Sequence, residues 1–332
     1  MIVVFTGGTG GAKLVQGLQQ VVAPEDLTVI VNTGDDIEWW GLHVSPDVDS
    51  VLYGLGDLLS KDRGWGVDGD SFRCLERMKQ LEQPAWFSLG DLDLATHLTR
   101  TSMLRAGKSL SEATAELARK FGVRARVLPM SDQHVSTMLD TSKGTLTFQE
   151  YFVRERHNVD VQEVRFEGAQ QSRPAPGVLE AIAGADAIVF APSNPVTSIG
   201  PILAVPGIRK ALCQTPAPIA AVSPIVGGAA VSGPAAQLMQ MKGWPSTISG
   251  IASAYEDFLD VLVVDSADEK TIPGQPSVVD QVSTDVTSTQ QSSVFPAVRF
   301  AATNTMMYTL DDKRNLAAFL LDACPSATAS KA

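Results

Sequence analysis

The stretch Ile2-Val3-Val4-Phe5-Thr6-Gly7-Gly8-Thr9-Gly10-Gly11-Ala12-Lys13 decides the reading of this chain. Four apolar, mostly β-branched residues run straight into a glycine-rich turn. After it Ala12, Leu14, Val15 and Leu18 recur at helical spacing, so the segment reads as strand, turn, helix. Backbone N–H groups at such a turn, together with the helix N-terminus, make an anion site. The turn holds more glycine than a tight bend requires, which points to phosphate contact by Gly7, Gly8, Thr9, Gly10 and Gly11, with Lys13 beside them. The GxxxxGK[ST] spacing of a P-loop is absent. A strict GxGxxG reading from Gly8 needs glycine where Lys13 stands, so a standard dinucleotide fold and a dehydrogenase are not supported.

Working outward, Leu27–Val31 is a second run, apolar except for Thr28, ending at Asn32-Thr33-Gly34-Asp35-Asp36. Ala187–Ala191 and Ile219–Val222 are two more, ending at Pro192-Ser193-Asn194-Pro195 and Ser223-Pro224. Strands apolar on both faces suit a parallel sheet covered on both sides. The expected class is therefore α/β, a Rossmann-like open parallel sheet with helices on both faces and a mostly helical inserted lobe. Residues 1–60 and 176–265 form the core and 61–175 the lobe, in which Thr145–Val153 alternates into an aromatic strand. Residues 268–296, rich in Ser, Thr, Gln, Val and Asp, read as a flexible low-complexity segment. Residues 297–324 read as a C-terminal helix returning to the core. Ligands of open α/β sheets bind beyond the carboxyl ends of the strands, so the four strand termini are where a site belongs.

The 332 residues carry 26 Lys+Arg against 37 Asp+Glu, a formal net charge of −11. So acidic a surface repels phosphate backbones and argues against nucleic acid. An anionic small ligand then needs local amides or a metal ion to hold it. Cys74, Cys213 and Cys324 are scattered with no CxxC, which indicates neither zinc nor a disulfide framework. No apolar run reaches the roughly 20 residues of a membrane span, and the first residues lack the basic region and cleavage site of a secretory signal. A soluble, cytoplasmic protein is expected.

Two acidic groups follow the glycine loop: Asp35-Asp36, and Pro46-Asp47-Val48-Asp49 about a dozen residues later. Carboxylates near a phosphate loop are what Mg²⁺ prefers, which makes Asp35, Asp36, Asp47 and Asp49 the candidate ligands. In an extended segment Asp47 and Asp49 point to one side; alternatively Asp49 or Ser50 caps a helix beginning at Val51. In Leu89-Gly90-Asp91-Leu92-Asp93-Leu94-Ala95-Thr96-His97, Asp91 and Asp93 read first as caps of a helix carrying His97 and Arg100. The loop holding Ser193, Asn194 and Ser198 offers hydroxyl and amide groups for phosphate oxygens or a base edge without added charge; a rigid proline turn explains it equally well. No Ser–His–Asp arrangement is apparent.

Gly7–Leu14, Val31–Asp36, Pro46–Tyr53, Leu89–Asp91 with Ala95–Leu98, Leu128–Asp132, Phe148–Tyr151, Ala191–Pro195 with Ser198–Ile202, and Ala221–Gly227 occur in an order that resembles the 2-phospho-L-lactate transferase (CofD-like) family of coenzyme F-420 biosynthesis. The resemblance implies a reaction. A 2-phospholactyl group, or its enolpyruvyl counterpart, moves from a guanosine-diphosphate-activated donor to the ribityl hydroxyl of an 8-hydroxy-5-deazaflavin precursor, and GMP leaves. It also implies Mg²⁺, a homodimer and an inserted lobe over the acceptor. On this reading the glycine loop, Lys13, Ser193, Asn194 and Ser198 face the donor. Asp49, Asp91, Leu92 and His97 face the deazaflavin, and Asp49 is the catalytic residue nearest the acceptor hydroxyl. Some relatives carry Arg within the motif that here reads Gly90-Asp91-Leu92-Asp93. A different donor acid on the same fold, or a non-catalytic nucleotide-binding regulator, are the competing readings.

Overall fold

The computed structural model describes residues 1–231, 233–273, 295 and 297–324. Its frame is a seven-stranded sheet. From one edge the strands run Arg299–Thr303, Val261–Asp265, Ile219–Val222, Ala187–Phe190, Ile2–Thr6, Leu27–Val31 and Arg126–Pro129. Every pairing is parallel. Ile2 lies opposite both Leu27 and Ala187, so the first strand sits between the second strand and the Ala187–Phe190 strand.

Alternation along the strands builds two cores. Val3 and Phe5 point to one face, where Phe5 stacks on Phe190 at 4.8 Å. Helices Val178–Ala183, Gly200–Ala204, Ile208–Gln214, Ala235–Met241 and Ile248–Tyr255 add Ile182, Ile202, Leu212, Leu238 and Ile251 to that face. Val4, Val29 and Val31 point to the other, against Gly8–Leu18, Pro46–Leu55, Leu110–Lys120 and Leu310–Ala323. With both faces covered, the inner strands are buried along their length and largely apolar, and charged residues such as Arg126 and Arg299 stand at the starts of the edge strands. Among the described residues, no helix is long and apolar enough to cross a membrane.

Three expectations change. The segment 61–175 is not one mostly helical lobe. Its helices Arg73–Gln80, Asp91–Arg105 and Leu110–Lys120 are followed by Arg126–Pro129, which pairs with Leu27–Val31 as an edge of the main sheet. Beyond it, Ser136–Thr141 pairs with Gly144–Thr147 and Val161–Glu167 in a separate antiparallel sheet. The aromatic strand stops at Thr147, because Phe148 and Phe152, four apart, stack at 5.4 Å on a helical turn; Glu150–Arg154 is a π-helix. The C-terminal part adds a strand, Arg299–Thr303, before its helix. The 3₁₀ turn Ser266–Thr271, where the Asp265 carboxylate accepts from the Ala267 amide, runs into the first residues of the stretch 268–296. Residues 274–294 and 296 of that stretch lie outside the described residues.

Candidate functional site

The order of the parallel strands reverses direction between Ile2–Thr6 and Ala187–Phe190: chain neighbours Leu27–Val31 and Arg126–Pro129 lie on one side, and the later strands on the other. The loops leaving these two strands therefore diverge and open a crevice, the position where doubly wound sheets bind ligands. The glycine loop leaves the first strand and the Pro192–Ser198 loop leaves its neighbour. Ser193 ties them together: its Oγ donates to Gly7 O at 2.8 Å and accepts from Gly7 N at 3.3 Å.

Gly7 is extended, with φ −152°, and Gly8 turns into the left-handed region at φ +72° to open the helix Gly8–Leu18. A Cβ at Gly7 would stand 2.6 Å from Asp47 Oδ2 and 2.8 Å from Ser198 Cβ. The main chain is thus pressed between a carboxylate and the second loop, an approach only glycine permits. Gly10 lies equally close to the Pro192 carbonyl, at 2.8 Å from an added Cβ, and Gly11 packs on Thr6. Thr9 is exposed at the mouth of the turn. The Asn194 side-chain oxygen Oδ1 accepts from Val196 N at 2.9 Å and Thr197 N at 3.4 Å, which fixes its own loop.

The helix Pro46–Leu55 presents its first turn to this crevice. The Asn32 amide donates to Asp47 Oδ2 at 2.9 Å and to the Thr197 carbonyl at 3.3 Å, and Gly8 donates its backbone N–H to the Asp47 carboxylate. Burial pushes Asp47 up to about 6 against the pull of Asn32 and Gly8, with Asp36 adding to the rise. Burial first, then the charge of Asp47, hold the Asp35 carboxyl well above its ordinary range. Asp35 Oδ1 is buried with no hydrogen-bond partner among the described residues. Buried carboxylates that repel each other and leave an oxygen unsatisfied form the hard-oxygen donor set that suits a divalent cation. Asp36 is engaged differently, accepting from Ser45 Oγ at 2.7 Å and lying 2.9 Å from His43 Nε2.

Asp49 does not join this group. Because Pro46–Leu55 is helical, two residues rotate a side chain by about 200°, so Asp47 and Asp49 face apart rather than together. Asp49 makes a bidentate ion pair with Arg100, at 3.0 Å for the Nη1 contact and closer for Nη2. His97 Nδ1 lies 3.5 Å from Asp49 and His97 Nε2 lies 3.3 Å from Asp93, which accepts from Tyr53 OH at 2.6 Å. All five residues are buried. Burial disfavours the Arg100 charge, yet Asp49 beside it holds the pKa above the ordinary value. Asp49, Asp93 and His97 bring ligand atoms within 4.8 Å of one another. The guanidinium already neutralises Asp49, however, and a metal there would face an uncompensated buried cation.

The proposed acceptor-side residues are only partly gathered. Asp49 and His97 are neighbours, whereas Asp91 accepts from the Arg73 and Cys74 amides at 3.2 and 3.0 Å, capping the preceding helix. The helix Asp91–Arg105 is capped instead by Asp70, which takes the Leu92 and Asp93 amides at 2.7 and 3.1 Å. Leu92 is exposed. Lys13 groups with Lys61 and Lys313: burial, then these two neighbouring charges, lower the Lys313 pKa. Asn32, Arg100 and Tyr53 were not singled out by sequence as site residues. Asn32 had a signal, since it is the first polar residue after an apolar strand. Arg100 lies three residues beyond His97 on one helix face.

The CofD family model, described as 2-phospho-L-lactate transferase CofD, matches residues 2–298. A 2-phospho-L-lactate transferase of Methanosarcina mazei is 43% identical over 267 residues, covering 80% of this chain and 88% of the relative. A phosphoenolpyruvate transferase of Kitasatospora aureofaciens is 47% identical over 278 residues, covering 82% and 87%. A crystal structure of an upf0052 family protein from Bacillus halodurans shares the fold with a TM-score of 0.53 at 22% identity, over 83% of this chain and 80% of that one. The chain belongs to the CofD family of 2-phospho-L-lactate transferases.

Proposed function

We propose that this transferase moves a 2-phospholactyl or phosphoenolpyruvate-derived group from a guanosine-diphosphate-activated donor to the terminal ribityl hydroxyl of the 8-hydroxy-5-deazaflavin precursor, releasing GMP. The observation that carries this reading is the convergence of the Gly7–Gly11 loop, Asp35, Asp47 and the Pro192–Ser198 loop at the crevice where the strand order reverses.

The chemistry asks for position more than covalent help. The acceptor oxygen attacks the phosphorus of the phospho-acid, the bond from that phosphorus to the GMP oxygen breaks, and GMP keeps the electron pair while the hydroxyl proton passes to solvent. Such transfers are accelerated mainly by alignment and by groups aimed at the developing charge. In this reading the amides at the start of Gly8–Leu18 face the diphosphate, with Ser193, Asn194 and Ser198 along the nucleotide side. Asp35 and Asp47 hold Mg²⁺, which when bound neutralises diphosphate charge and stabilises the leaving oxygen. Asn32 keeps Asp47 aimed at the crevice. Asp49, paired with Arg100, fixes the helix that carries Asp47.

Relatives named for either donor acid lie between 40% and 47% identity, so the donor is settled by turnover. Purified protein is offered the guanylylated phospholactate and phosphoenolpyruvate donors separately, with the deazaflavin and Mg²⁺, and products are followed by mass. Deazaflavin product with an equal amount of GMP supports the reading. Nucleotide binding without product from either donor contradicts it and favours the regulator.

A further inference from the structure

We propose that Thr137 is a positioning residue for the cation site: when the Asp35 carboxylate turns toward the ion shared with Asp47, the Thr137 hydroxyl donates to it and holds it there. The inference rests on the reading of Asp35 and Asp47 as the Mg²⁺ ligands.

Thr137 belongs to the small antiparallel sheet, on the strand Ser136–Thr141, about a hundred residues from the acidic loop. It is completely buried. Its backbone N–H donates to the Gly34 carbonyl at 2.7 Å, bonding the strand to the loop one residue before Asp35. A Cβ at Gly34 would stand 2.8 Å from Thr137 Oγ1, so a side chain at 34 would push the hydroxyl out of its place. A second strut from the same region holds the main chain: Gln149 Nε2 donates to the Asp35 carbonyl at 3.2 Å.

The side-chain atoms then complete the case. Thr137 Oγ1 and Asp35 Oδ1 are both buried, and neither makes a hydrogen bond of ordinary geometry among the described residues. The hydroxyl is nonetheless close enough to favour the charged form of Asp35. A buried donor beside a buried acceptor, both unpartnered, is rare in folded proteins. A small rotation of the Asp35 carboxylate toward a cation pairs the two. Ligating carboxylates are generally hydrogen-bonded by a second partner that sets their orientation, and loss of that partner typically weakens metal binding by about 10–100-fold.

Thr137→Val and Thr137→Ala remove the hydroxyl, and Thr137→Ser keeps it. Each variant, the wild type and Asp35→Asn are titrated with Mg²⁺ while the thermal midpoint is read, and transfer activity is measured at each concentration. The expected result is a Mg²⁺ midpoint raised at least about tenfold in Thr137→Val and Thr137→Ala, wild-type behaviour in Thr137→Ser, and kcat at saturating Mg²⁺ close to wild type in all three. The metal-free thermal midpoint should change little in the isosteric Thr137→Val, which separates positioning from a fold defect. A wild-type Mg²⁺ midpoint in both hydroxyl-free variants overturns the role of Thr137 alone. A Mg²⁺ response that survives in Asp35→Asn overturns the cation site and this inference with it.

Discussion

Asn32 Nδ2 donates to Asp47 Oδ2 at 2.9 Å, joining the end of one central strand to the first turn of the helix Pro46–Leu55. The same side chain also donates to the Thr197 carbonyl and accepts from the Gly34 amide at 2.8 Å, so three loops meet on one buried amide. Asn32→Ala strands all three partners. Each unsatisfied buried group costs about 1–3 kcal/mol, so a clear fall in thermal midpoint is expected together with a weaker Mg²⁺ response. Unchanged values of both would remove Asn32 from the site.

Gly7→Ala tests the approach of the glycine loop to Asp47. The added methyl collides with a carboxylate oxygen and with Ser198, and relieving it moves either the amides or Asp47. Misplacing reacting groups by about an ångström costs on the order of 100-fold in rate. Steady-state kinetics should show that loss in kcat/KM while circular dichroism stays native.

The Asp49–Arg100 pair yields a stability prediction. Asp49→Ala leaves the Arg100 guanidinium buried and unpaired, a change that typically costs about 3–5 kcal/mol. Replacing both, as Asp49→Ala with Arg100→Met, should recover much of that loss in urea unfolding, because an apolar substitute carries no stranded charge. An Asp49→Ala protein as stable as wild type would show that the ion pair does not hold the two helices.

Stability of the metal-free protein should depend on pH through Asp35 and Asp47, both raised by burial. The folded pKa of Asp47 rises from 3.8 to about 6. Between those values the folded chain binds more protons than the unfolded chain, so stability falls as pH rises, by on the order of 3 kcal/mol once pH passes the folded value. Above pH 6 the charged carboxylate is available to a cation. Added Mg²⁺ should therefore raise the thermal midpoint more at pH 7.5 than at pH 5, and Asp47→Asn should abolish the difference. An equal effect at both pH values would contradict the assignment.

The frame was legible because it rests on local pattern. Buried, largely apolar strands such as Leu27–Val31 and Ile219–Val222 end where their sequences turn polar, and the glycine loop announces a close backbone approach. What the sequence hid depends on rotation and on distant partners. Asp47 and Asp49 look like a pair until the segment is known to be helical, which sends one to Asn32 and the other to Arg100. Asp70 and Asp91 cap each other's neighbouring helices in an exchange that no local rule assigns. Thr137 approaches Asp35 only because an antiparallel sheet folds back over the acidic loop.

The most direct test is a crystal structure of the protein with GDP and Mg²⁺. The expected result is a diphosphate within hydrogen-bond distance of the amides between Gly8 and Gly11, and one metal ion bridging it to Asp35 and Asp47. A diphosphate bound elsewhere, or a metal seated among Asp49, Asp93 and His97 with Arg100 displaced, would contradict it.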